Sequence, residues 1–160
     1  MWRERRRVSS CAWSAPAWSR WLGVLLTGLL VGCSTLRSDL CATLHTVMME
    51  EMRITEETPR HVAEAQMCEQ QGLRLQRISE DLISLEIRDK ALRKAVEGYR
   101  SEVARLSEEY SRLARAYRAA PDAGPDAEDQ VRERLGPLVL DRAASVNGPR
   151  SALRSACSVY

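Results

Sequence analysis

The sequence predicts an all-α protein: an extended helical hairpin, or coiled-coil-like bundle, built around one long heptad helix. Three observations carry this. Leu75, Ile78, Leu82, Leu85, Asp89, Leu92, Val96, Tyr99, Val103, Leu106, Tyr110, Leu113 and Tyr117 step by three and four without a slip, with Asp89 the one polar member. A repeat sustained over that length is the signature of a helix with a packing seam. No segment shows the strict alternation of a half-buried strand. The third observation is aromatic content: all four Trp (Trp2, Trp13, Trp18, Trp21) lie before residue 33, and there is no Phe. A body rich in Arg, Glu, Ala and Leu with so little aromatic area fills narrow seams between long helices more readily than a thick globular core.

In chain order, residues 1–20 hold Arg3, Arg5, Arg6, Arg7 and Arg20 against a single acid, Glu4, and lead into the apolar run Trp21–Val31. A positive n-region, a short h-region and a small residue before a cut site are the parts of a secretory signal. Eleven helical residues cover roughly 16 Å, well short of a hydrocarbon core of about 30 Å, so a membrane span is not expected. Residues 1–32 contribute five Arg and one Glu, so their removal turns the chain's net charge from +2 to −2. A basic footprint for nucleic acid is therefore absent from the body.

The tetrapeptide Leu30-Val31-Gly32-Cys33 resembles the lipobox of bacterial lipoprotein precursors. The resemblance covers the first fifth of the chain. It implies that the Cys33 thiol receives diacylglycerol, that a dedicated peptidase cuts before Cys33, and that the new amino terminus takes a further acyl chain of the palmitate kind. Two or three acyl chains anchor a protein almost permanently. It further implies a cell-envelope location, and Ser34, in place of a retention Asp, implies the outer membrane with the body facing the periplasm. Murein lipoprotein offers a comparison for a lipid-anchored coiled coil. Its terminal lysine has no counterpart in Ser158-Val159-Tyr160, so covalent attachment to the wall is not expected.

The body divides on paper into a lipid-anchored helical hairpin over 33–120 and a Pro/Gly linker with a short helix and flexible tail over 121–160. A first helix over Ser34–Glu57 presents Leu36, Leu40, Leu44, Val47, Met48 and Met52, with Cys41 on the same side. Thr58-Pro59 is a stop and restart, with Thr58 as a cap, at which the chain either kinks or reverses. Gly72 is a weak point, because glycine inside a helix costs about 1 kcal/mol relative to Ala. The heptad helix then runs unbroken from Gly72 to Ala119. Its flanking charges set Asp81 near Glu86 and Arg88 near Arg93 in a parallel homodimer, both repulsive, so an antiparallel partner or the chain's own first helix fits the seam better. Pro121, Gly124 and Pro125 end it, Asp126 caps a short helix, and the last eleven residues show no usable pattern.

Cys41 and Cys68 flank the Thr58-Pro59 break about equally and could meet in a disulfide if the chain reverses there, leaving Cys157 free or paired with another molecule; the alternative is that they are ordinary small buried residues. A zinc site from Cys41, His45, His61 and Cys68 is not expected, since seven helical residues set His61 and Cys68 about 10 Å apart. No metal, cofactor or small-molecule substrate is implied. The chain has no Gly-x-Ser-x-Gly, phosphate loop, dinucleotide fingerprint or His-Glu-x-x-His. The acid pairs Glu50-Glu51, Glu56-Glu57 and Glu108-Glu109 are neighbours that do not face each other, so they read as solvated helix faces. The expectation is a non-enzymatic structural or interaction lipoprotein whose seam packs on itself or on a protein partner. The alternative is an accessory subunit whose seam binds a helical partner in an envelope transport or lysis complex.

Overall fold

A computed structural model describes residues 25–124 and 126–158, with side chains from Arg37 onward apart from Asp122 and Ala123. The arginine-rich segment and the side chain of Cys33 lie outside the described residues. The elements are α1 (Leu25–Glu56), α2 (Thr58–His61), α3 (Ala65–Ile83), α4 (Lys90–Ala119), a 3-10 turn (Ala120–Ala123), α5 (Ala127–Ser145) and α6 (Asn147–Ser158). Ser38–Tyr160 forms one compact unit, separate from Met1–Arg37. Among the described residues, no helix is long and apolar enough to cross a membrane.

Within that unit the helices run up, down, up and down. Glu51, Thr58 and Val62 meet Tyr99, Tyr110 and Tyr117 in the same order, so α1 rises alongside α4. Glu69 and Gly72 on α3 meet Arg118 and Ser107 on α4, which sets α3 antiparallel to α4. Cys41 and Glu51 of α1 meet Cys157 and Arg150 of α6, so α6 descends against α1. Short α2 turns the chain at one end; residues 84–89 turn it at the other.

The heptad helix expected to run unbroken from Gly72 to Ala119 is two helices. Ser84 closes α3 by donating its hydroxyl to the Asp81 carbonyl at 2.7 Å. Asp89, read as a polar seam position, instead caps α4 and accepts the Leu92 N–H at 2.8 Å, an interaction worth about 1 kcal/mol. The physical reason is burial: folding at 84–89 lays the α3 stripe against the α4 stripe, whereas a straight rod leaves both in water. Leu75, Ile78, Leu82, Leu92, Val96, Tyr99, Val103, Leu106, Tyr110, Leu113 and Tyr117 are all buried in one core, and Leu85 is half-buried against it.

Gly72 proves to be a point of closest approach. Ser107 Oγ donates to its carbonyl at 2.8 Å, and a Cβ there would lie 3.2 Å from Ser111 Oγ and 3.4 Å from the Tyr110 Cβ. Thr58 does not cap α2; its hydroxyl donates back to the Ile54 carbonyl at 3.2 Å. The segment past Pro125, expected as linker and tail, forms α5 and α6 of the same unit. Pro137 lies inside α5 on its exposed side, where the Glu133 carbonyl it deprives of a partner can turn to water. Pro149 sits in the first turn of α6, where a missing N–H costs little. The buried stripe Gly136, Val139, Ala143, Val146, Arg150, Leu153 repeats at three and four and joins the core.

Candidate functional site

The polar centre of the bundle is a carboxylate read from the sequence as solvated. Glu51 is fully buried on α1. Arg150, brought down by α6, grips it with two bonds, Nε donating to Oε2 at 2.8 Å and Nη2 to Oε1 at 2.7 Å. Tyr99 of α4 donates its hydroxyl to Oε2 at 3.1 Å. The guanidinium is itself held by Asn147 Oδ1 at 2.8 Å and Thr55 Oγ1 at 3.2 Å. Burial and the neighbouring Glu51 carboxylate push the Tyr99 hydroxyl well above the usual tyrosine range, so it remains a donor. With three donors on it and no solvent at it, the Glu51 carboxylate is a clasp between α1, α4 and α6, not a base open to substrate.

A second polar layer lies toward α2. Tyr110 donates to Thr58 Oγ1 at 2.9 Å and Tyr117 to the Val62 carbonyl at 2.6 Å. Cys68 donates its thiol to the His61 carbonyl at 3.1 Å. His61 is buried, with Nε2 3.2 Å from Glu57 Oε2. Its Nδ1 is the one buried side-chain nitrogen or oxygen without a hydrogen-bond partner among the described residues. Burial raises the Cys68 thiol to about 11, which keeps it protonated and a poor nucleophile.

The expected Cys41–Cys68 bridge is corrected. Cys41 is bonded to Cys157, a sequence separation of 116, with Cα atoms 5.7 Å apart, and among the described residues Cys68 is the free thiol. The chain does reverse between α1 and α3, but Cys68 lies one turn into α3 beside His61. Descending α6 is what returns to the level of Cys41. Among the described residues, no group of three or more His, Cys, Asp or Glu side chains could hold a metal ion.

Two of these features left a trace in the sequence. Cys41, Leu44, Met48, Glu51, Thr55 and Thr58 repeat at three and four, so Glu51 shares the face of Leu44 and Met48. Val146, Arg150, Leu153 and Cys157 continue the same rhythm at the other end of the chain. A charged member on each of two apolar stripes is the mark of a buried ion pair. No family model, curated protein or solved structure matches this chain.

Proposed function

We propose that the protein is a cell-envelope lipoprotein: a helical interaction module tethered by acylated Cys33 and held at a set distance from an outer membrane. The observation that carries the reading is Leu30-Val31-Gly32-Cys33 at the end of a short apolar run behind an arginine cluster. The Cys41–Cys157 disulfide supports it independently, because structural disulfides persist in exported compartments and are rare in the cytosol. The bundle's role is positional. Its seams are covered by the chain's own helices, which favours a self-contained module over a seam that waits for a partner helix.

The test is Cys33→Ser. The variant should lose incorporation of labelled fatty acid and accumulate as an uncleaved or mislocalised precursor. Labelling and membrane retention equal to the parent protein would refute the reading.

A further inference from the structure

Resting on the lipoprotein reading, we infer that the end of the bundle formed by the turn between α3 and α4 docks onto the surface of an anionic phospholipid bilayer. The topology brings three things to that end: Ser38–Cys41 at the start of the compact unit, Cys157 near the end of α6, and the turn at 84–89. The turn and the last residue of α3 carry three large apolar side chains among the polar ones. Ile83 is 64% exposed, Leu85 and Ile87 are half-buried beside it, and together they line an open groove of about 600 Å³.

The chemistry around the groove suits lipid headgroups. Arg88, Arg93 and Arg100 line the groove against Glu86 and Glu97, Lys90 and Lys94 stand nearby in the sequence, and Asp89 is engaged in capping α4. Asp39 is the acid that α1 adds at this end. Apolar side chains that enter the headgroup boundary, ringed by basic ones, are the pattern of interfacial attachment. Chain length then selects the occupant. Ser38 stands five positions after Cys33. Five residue steps span about 8 Å as helix and at most about 18 Å extended. An acylated Cys33 therefore holds this end of the bundle no more than about 18 Å from its point of attachment, with no room for an intervening folded domain.

The processed chain retains none of the four Trp, so Ile83→Trp and Ala63→Trp each install a single fluorophore, at the groove and at the opposite, α2 end. Full-length protein is expressed, processed and purified as the lipoprotein. Acylation is verified by mass, and the protein is reconstituted into phosphatidylethanolamine–phosphatidylglycerol vesicles with acyl chains brominated near the glycerol. Trp at position 83 should shift to the blue and be quenched several-fold more than Trp at position 63. Adding Arg88→Glu and Arg93→Glu should weaken docking by at least about fivefold at low salt. Equal quenching at the two positions in acylated protein overturns the docking and leaves the lipoprotein reading intact. An unacylated Cys33 overturns both. A photo-crosslinker at position 83 that captures one discrete polypeptide in native envelopes overturns lipid as the occupant.

Discussion

Glu51 and Arg150 together cost little, and apart they cost a great deal. The Coulombic attraction of a buried pair roughly offsets the desolvation of its members, whereas deleting one leaves an uncompensated charge in the core. Arg150→Ala should therefore destabilise the bundle by about 3–5 kcal/mol, read as a shift in the urea midpoint followed by circular dichroism. Tyr99→Phe removes one of three donors to the same carboxylate and should cost about 1–3 kcal/mol. The joint replacement Glu51→Leu with Arg150→Met should recover most of the loss, because it removes both charges and keeps the volume. If the joint variant is as unstable as Arg150→Ala, the pair is not what holds α6.

At the level of the helix, two glycines with the same propensity have opposite assignments. Gly72 lies under the α4 backbone, whereas Gly98 faces open space, with nothing within 4 Å of where a Cβ would stand. Gly72→Leu should push α3 from α4, break the bond from Ser107 Oγ and cost about 1–3 kcal/mol by overpacking. Gly98→Ala should stabilise α4 by about 0.5–1 kcal/mol. Thermal melts of the two variants check the assignment, and similar shifts would refute it. The same distinction explains what could be read from the sequence. Leu75 to Tyr117 revealed a seam because Leu, Val and Tyr carry most of it. On α1 the apolar members were legible but Glu51 and Thr55 were not, and the α5–α6 stripe stayed hidden because Gly136, Ala143 and Arg150 occupy positions where burial is inferred only from spacing. The break at 84–89 was masked for a related reason: Asp89 fits the heptad count as well as it fits a cap, and only the partner stripe on α3 decides between them. The disulfide depended on how many times the chain turns, which no local pattern records.

For the molecule as a whole, buried phenols and a buried thiol set an upper pH limit. Burial raises Cys68 from 9.0 to about 11, and it raises Tyr99, Tyr110 and Tyr117 above their ordinary value of 10.0. Below about pH 8 these groups are protonated in both folded and unfolded chains and impose no pH dependence. Above it the unfolded chain releases protons that the folded one retains, so stability falls as pH rises. Denaturation midpoints should be level up to about pH 8 in these terms, then decline, and steepen past about 10 as the tyrosines join. Cys68→Ala should remove the early part of the decline and leave the steeper part. The disulfide has a consequence of another kind. Cys41 and Cys157 close nearly the whole bundle into a covalent ring, and the loop around Gly124 lies inside that ring. A protease that cuts there opens the ring without dividing the protein. Both pieces stay joined through the one sulfur–sulfur bond, so damage at that end of the bundle separates nothing until a reductant arrives.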